Sequence, residues 1–139
     1  MEPEKVINSI EGKMGFTPEI MNMMSEMNPE MFQHYKKCDD GIQEDGALPA
    51  KVKVLMSLAI MASQRCEACC ESQMRSALNH GATKEEIMET MNVIFITSGA
   101  PGVAVCRRAL KMIDGNEEKC GHGGGHGAGH GCMGGRRKQ

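Results

Sequence analysis

Two cysteines separated by two residues, Cys66 and Cys69, are the residues whose spacing points most directly to chemistry. Residues three apart in a helix lie on one face, close enough for their sulfur atoms to form a disulfide. In the first turn of a helix, free N–H groups and the helix dipole stabilise a thiolate. Arg65 adds a positive charge, whereas Glu67 and Glu71 oppose it. The pair predicts thiol–disulfide exchange, in which one thiolate attacks a substrate disulfide and the second resolves the mixed disulfide.

A C-x-x-C motif can also be half of a zinc site. A structural zinc site needs four ligands, and residues 1–115 contain no second C-x-x-C and no H-x-x-x-H. The N-terminal residues are acidic and open no apolar run, so we expect no secretory signal and a reducing, cytoplasmic location. Cysteine pairs in that compartment are more often catalytic, redox-sensing or metal-binding than structural. Redox use is therefore the favoured interpretation, and a metal-binding or inert pair is the alternative.

Composition restricts the function classes further. The chain of 139 residues has room for one domain with a core, and its net charge of −2 argues against nucleic acid as a partner. No apolar run approaches the roughly 20 residues that span a membrane, so we expect no membrane partner. Aromatic residues are only 3%, and the 14 Met therefore help to fill a soft, adaptable interior.

Residues 116–139 are rich in Gly and His, and we predict a flexible tail after a helical domain spanning residues 1–115. Imidazole and thiolate suit nickel, zinc or copper, and a Gly-rich chain is free to wrap an ion. The candidate tail ligands are His122, His126, His130, Cys120 and Cys132. No cofactor is required for the chemistry of the C-x-x-C pair itself.

Six helices are predicted, and no run shows the alternation of a strand. The start signals are Pro18, Pro29 with Asn28 as its cap, Pro49, the Cys motif, the capping box Thr83–Glu86, and Pro101. Gly81 is typical of the residue that ends a helix. Apolar faces are expected at Val54, Leu55, Leu58, Met61 and Ala62, and at Ile87, Met88, Met91, Ile94 and Phe95. The prediction is an all-α fold.

The remaining cysteines are expected to pack rather than react. Cys70 lies on one helix face with Met74 and Leu78, and Cys106 lies on an apolar row opposite basic residues. Both are therefore expected in the core. Cys70 could alternatively be a third redox thiol. A third row, Met31, Tyr35, Cys38 and Ile42, is expected in the core or at an interface.

Histidine and methionine outside the tail have ordinary interpretations. His80 is expected at a helix C-terminus, about 11 residues and roughly 16 Å from Cys69, and His34 on the surface. Five methionines could suggest a soft-metal site, but packing into the core is the favoured interpretation. They are Met21, Met23, Met24, Met27 and Met31.

Several stretches together resemble the carboxymuconolactone decarboxylase family, in particular its alkylhydroperoxidase D-like (AhpD-like) branch. They are Gly46–Lys51, Leu58–Ser63, Cys66–Cys69, Ala77–Ile87 and Gly99–Pro101. The resemblance implies a helical bundle of six to seven helices that assembles into trimers or hexamers. It also implies thiol-dependent peroxidase or disulfide reductase activity, with Cys69 as the attacking thiol.

Two positions depart from the family pattern. The family has a His four residues after the second Cys and a Glu twelve residues before the first, and these form a proton relay. Here the positions hold Gln73 and Val54, neither of which takes up a proton near neutral pH. Hydroperoxide reduction by that relay is therefore not expected. Decarboxylation is not expected either, because the lactone decarboxylases of the family do not rely on a C-x-x-C pair.

Two functional hypotheses follow. The first is a disulfide reductase in antioxidant defence, acting on a small-molecule or protein disulfide with a thiol or protein electron donor. The second is a metal-binding or redox-sensing protein on a degenerate AhpD-like scaffold with a His/Cys tail. A purely structural oligomer, with unreactive cysteines, is a third possibility.

Overall fold

The computed structural model describes residues 3–14 and 17–115, which form helices joined by short loops. The helices are α1 Pro3–Met14, α2 Glu19–Met27, α3 Pro29–Gln43, α4 Ala50–Ser63, α5 Glu67–Asn79, α6 Lys84–Ala104 and α7 Arg107–Lys111, with a short 3-10 helix, Met112–Asp114, at the end. Across these residues there is no strand, which confirms the all-α prediction. The predicted tail and its five candidate metal ligands lie outside the described residues.

Two of the sequence signals for helix starts correspond to side-chain caps. The Asn28 side chain accepts the N–H of Met31 at 3.2 Å and caps α3. At the start of α6, the Thr83 hydroxyl accepts the Glu86 N–H at 3.2 Å, and the Glu86 carboxylate accepts the Thr83 N–H at 2.8 Å. This reciprocal pair is the predicted capping box. Two helices lack a start signal: α1, and α7, which begins at Arg107, whereas the predicted start at Pro101 lies within α6. The seven helices of the described ranges agree with the six to seven that the family resemblance implies.

The core lies where α4 packs against α5 and α6, and α7 closes it over α5. The largest side chains with almost no exposure are Leu58, Met74, Ile87, Ile94, Val54, Cys70 and Cys106. A smaller cluster forms around Ile10 of α1 and Phe32 of α3. Helix α5, which carries the cysteine motif, is therefore held between α1, α4 and α7.

The predicted core packing of the methionine cluster is wrong for four of its five members. Met21 packs against the small cluster around Phe32, but the others are exposed, as is the predicted α3 row. The exposed residues are Met23, Met24, Met27, Met31, Tyr35, Cys38 and Ile42. Helix α3 instead turns Phe32 and Lys36 inward. Helical spacing identifies an apolar face, but it does not say whether a neighbouring helix covers that face.

Helix α6 contains a sharp break that the sequence prediction placed two residues later. Gly99 has φ 71° and ψ −178°, a conformation available to glycine and outside the helical region. The chain resumes its helical course through Pro101 to Ala104, then restarts as α7. On the face before the break, Met88 and Phe95 are exposed, which corrects their predicted burial.

No single helix in the described ranges has the length and apolar composition needed to cross a membrane. The bent pair 84–104 and 107–114, with 89° between its parts, meets these two conditions only when both parts are counted together.

Candidate redox site

The first turn of α5 brings the two motif cysteines together. Cys66 is the N-cap of the helix and Cys69 is its third residue, so three peptide units separate them. Their Cα atoms are 5.2 Å apart and their sulfur atoms form a disulfide. Both residues are half-buried, so the sulfur pair lies at the surface of the helix bundle. A disulfide with some exposure at a helix N-terminus is chemically suited to exchange with an external thiol.

Cys66 also terminates the preceding helix. Its N–H donates to the Met61 carbonyl at 3.2 Å, and the Arg65 N–H donates to the Ala62 carbonyl at 3.1 Å. These are the two hydrogen bonds of a Schellman motif, in which Arg65 holds the left-handed position with φ 62°. The Cys66 carbonyl in turn accepts the Cys70 N–H at 3.0 Å, the first bond of α5. The backbone of Cys66 is thus held from both sides.

The two acidic residues near the motif form ion pairs with α7. Glu67 Oε1 lies 3.4 Å from Arg107 Nε, and Glu71 Oε1 lies 3.2 Å from Arg108 Nε. The negative charge that would oppose a thiolate is therefore offset by two guanidinium groups. In the sequence, these arginines stand out only as the polar side of an apolar row. Their pairing across two helices depends on the packing of α7 onto α5, which has no local sequence signal.

Cys70 and Cys106 are both fully buried, which confirms their predicted place in the core. Burial, followed by the charge and hydrogen bonding of Cys106, raises the pKa of the Cys70 thiol to about 12. Burial also raises the pKa of Cys106, whose S–H donates to the Gly102 carbonyl at 3.8 Å. Both thiols are protonated near neutral pH, a state that disfavours nucleophilic attack.

The two positions at which the family resemblance places a proton relay contain no base. Val54 is 1% exposed, on the face of α4 that packs into the core, and Gln73 is half-buried one turn after Cys69. His80 occupies the C-cap of α5, where its Nδ1 lies 2.7 Å from the Ser76 carbonyl, as expected for a residue at a helix C-terminus. His34 is exposed on α3, in agreement with its predicted surface position.

Metal binding by the tail stays a prediction, because its candidate ligands lie outside the described residues. Within residues 3–14 and 17–115, no group of three or more His, Cys, Asp or Glu side chains is arranged to hold a metal ion.

Taken together, the helical bundle and the disulfide at the start of α5 define a small all-α protein with a C-x-x-C pair. A model of the carboxymuconolactone decarboxylase family matches residues 29–112. An uncharacterised protein of Methanocaldococcus jannaschii is 32% identical over 100 residues, which are 71% of this chain and 93% of that protein. The chain belongs to the carboxymuconolactone decarboxylase family.

Solved structures show the same fold. A family member from Legionella pneumophila superposes with a TM-score of 0.64 at 20% identity, covering 82% of this chain and 96% of that one. A second, from Thermotoga maritima, has a TM-score of 0.60 at 23% identity, covering 68% and 81% of the two chains. The Thermotoga protein has a suggested role in the antioxidative response. The resemblance seen in the sequence is thereby confirmed at the level of family and fold.

Proposed function

We propose that this protein is a thiol–disulfide oxidoreductase that reduces disulfides with Cys66 and Cys69. The observation that carries the proposal is the half-buried disulfide between the N-cap and the third residue of α5. The position gives the released thiolate free backbone N–H groups and the positive end of a helix dipole. The ion pairs of Glu67 with Arg107 and of Glu71 with Arg108 offset the negative charge that opposes the thiolate.

The proposed cycle balances in electrons and protons. In the reduced enzyme, the Cys69 thiolate attacks a substrate disulfide, forms a mixed disulfide and releases the first substrate thiolate. The Cys66 thiolate then attacks the Cys69 sulfur, forms the intramolecular disulfide and releases the second. Two thiol groups of an electron donor, either a small dithiol or a protein, then return two electrons and become a disulfide, and their two protons are taken up by the two released substrate thiolates. The assignment of attack to Cys69 comes from the family resemblance.

A role in antioxidant defence in the cytoplasm agrees with this chemistry. The suggested role of the Thermotoga relative supports it. In a reducing compartment, the disulfide of such a pair is returned to two thiols after each turnover. The other cysteines among the seven in this chain also stay as thiols there more easily.

We also propose that the protein is a homotrimer or homohexamer. Exposed apolar side chains occur on α4 and α6, including Met56, Ile60, Val93, Phe95 and Ile96, the last 84% exposed. A further exposed apolar set lies on α2 and α3. Large apolar areas on a single chain are typical of surfaces that contact another protein. Size-exclusion chromatography with light scattering tests this proposal, and a monomer at micromolar concentration would contradict it.

The alternative is a metal-binding or redox-sensing protein on the same scaffold. The burial of Val54 and the absence of a base at Gln73 favour it over a peroxidase. Deleting residues 116–139 separates the two functions. A disulfide reductase should keep its turnover without the tail, whereas a nickel, zinc or copper handler should lose its stoichiometric metal binding.

The experiment that tests the proposed function is a steady-state assay with a small disulfide and a dithiol donor. Wild type is compared with Cys66→Ser, Cys69→Ser and the double variant. Cys38→Ser is the matched control, because Cys38 is an exposed cysteine outside the motif. We expect turnover in wild type and Cys38→Ser and loss of turnover in the double variant. Equal turnover in wild type and the double variant would overturn the proposal.

A further inference from the structure

Arg65 has a backbone conformation that suits glycine far better than arginine. Its φ of 62° is the only positive value at a non-glycine residue in the described ranges. The chain contains the same motif a second time, at the end of α5, where Gly81 has φ 75°. There the Gly81 N–H donates to the Leu78 carbonyl at 3.0 Å, and the Ala82 N–H to the Ala77 carbonyl at 2.9 Å. The two Schellman motifs thus differ in the residue at the left-handed position.

Arg65, with its unfavourable left-handed backbone conformation, directly precedes Cys66 of the redox pair. Its Cα is one peptide unit, about 3.8 Å, from that of Cys66. The residue is exposed, and it makes no ion pair with any residue in the described ranges. The nearby acidic residues Glu67 and Glu71 are already paired with Arg107 and Arg108. Arg65 therefore adds a positive charge beside Cys66 that no side chain of the described fold neutralises.

An exposed guanidinium without an ion-pair partner in the described fold, on the residue next to the redox pair, is suited to an anionic group on an incoming substrate. Its planar array of N–H donors matches a carboxylate, and it remains charged at every physiological pH. The two backbone hydrogen bonds of the Schellman motif fix the position of the Arg65 Cα and the direction of its Cα–Cβ bond. We propose that Arg65 makes the enzyme prefer disulfides that carry a carboxylate close to the reacting sulfur. This inference rests on the proposed disulfide reductase function and names the substrate class of that same site.

The test uses three small disulfides of similar size and different charge. Dithiodipropionate is anionic, hydroxyethyl disulfide is neutral and cystamine is cationic. The value of kcat/KM is measured for each with wild type, Arg65→Gly and Arg65→Lys, at low and high salt. Lys37→Gln is the control for loss of one positive charge, because Lys37 is an exposed residue of α3. Arg65→Gly suits the positive φ, so it removes the guanidinium without disturbing the fold.

We expect wild type to favour the anionic over the neutral disulfide by about fivefold, the effect of one well-placed exposed charge pair. Arg65→Gly should abolish this preference, Arg65→Lys should keep part of it, and Lys37→Gln should keep all of it. High salt should reduce the preference of wild type, because exposed charges are screened. In Arg65→Gly, kcat/KM should fall more for the anionic disulfide than for the neutral one.

Two results would overturn the inference while leaving the proposed function intact. One is a wild type that reduces all three disulfides equally in a Cys66- and Cys69-dependent way. The other is an equal loss for all three disulfides in Arg65→Gly, which would assign Arg65 to the thiolate and not to substrate choice. If wild type reduces none of the three, the proposed function itself fails, and the substrate preference fails with it.

Discussion

Cys69 and Cys70 are adjacent in the chain, but their side chains lie in opposite environments. Cys69 is half-buried and bonded to Cys66, whereas Cys70 is fully buried beside Cys106. Successive residues of a helix point about 100° apart, so one can face the surface while the next faces the core. The chain therefore separates an exchangeable sulfur from a packing sulfur within a single turn.

This separation predicts selective alkylation of the reduced, folded protein. After mild reduction, iodoacetamide should label Cys66, Cys69 and the exposed Cys38 rapidly, and Cys70 and Cys106 only after unfolding. With the pKa of Cys70 at about 12, roughly one thiol in a thousand is ionised at pH 9. Peptide mass spectrometry after timed quenching measures each site. Rapid native labelling of Cys70 would contradict its assignment to the core.

The buried thiols also predict a sign for the pH dependence of stability. A thiol with a folded pKa above its unfolded value of 9.0 contributes stability below pH 9, and this is lost as the pH rises toward 12. Cys106, whose pKa is also raised, acts in the same direction. We expect the free energy of unfolding of wild type to fall more steeply between pH 9 and 11 than that of Cys70→Val. Urea titrations at each pH measure it, and parallel curves for the two proteins would contradict the prediction.

The sequence was most informative where a local signal sets the structure. The capping box at Thr83, the Asn28 cap and the glycine at Gly81 all lie where their residue types predict them. The C-x-x-C motif likewise places its two sulfur atoms in contact whenever a helix starts at Cys66, since the spacing alone brings them to one face.

Features that depend on packing between helices were not predictable in this way. The row that begins at Met31 has helical spacing, but α3 turns Phe32 inward and leaves the row exposed. The pairing of Glu67 with Arg107 joins residues 40 positions apart through the contact of α7 with α5. The left-handed Arg65 was missed because the usual signal for that position is glycine.

The left-handed residues of the two Schellman motifs, Arg65 and Gly81, predict opposite effects on stability. Arg65→Gly should raise the free energy of unfolding by up to about 1 kcal/mol, because it relieves an unfavourable φ. Gly81→Ala should lower it by about the same amount, since no neighbour within 4 Å of the added Cβ would compensate. Urea unfolding of the oxidised proteins measures both. A loss of stability in Arg65→Gly would show that the guanidinium contributes more than its backbone strain costs.

The order of attack predicts which single variant traps a substrate. With Cys66→Ser, the mixed disulfide on Cys69 has no resolving thiol and should accumulate at close to one equivalent. With Cys69→Ser, a stable adduct on Cys66 should be scarce. Intact-mass measurement after incubation with hydroxyethyl disulfide quantifies both adducts. Accumulation only in Cys69→Ser would reverse the two roles and leave the proposed activity in place.

Hydroperoxide reduction should be weak in wild type, because neither Val54 nor Gln73 can accept a proton. A positioned base contributes typically about 10²–10⁴-fold, so its absence should be visible in the rate of peroxide-dependent oxidation of Cys66 and Cys69. Gln73→His supplies a base one turn after Cys69 at a half-buried position, which the fold should tolerate. Val54→Glu supplies the partner that would orient it. The double variant should therefore oxidise faster than wild type and than either single variant.

The burial of Val54 limits how far this relay can be restored. At 1% exposure, a glutamate there loses its hydration, so its pKa should rise and the free energy of unfolding should fall by roughly 3 kcal/mol or more. Stability is therefore measured alongside stopped-flow oxidation of the reduced pair by a hydroperoxide, and Val54→Gln serves as the uncharged control. A rate gain in the double variant that Val54→Gln plus Gln73→His lacks would assign the effect to the carboxylate. A contradicting result is a wild type that already reacts rapidly and a double variant that folds normally but reacts no faster. The protein would then have its own proton route, and the interpretation of Val54 and Gln73 as a lost relay would be wrong.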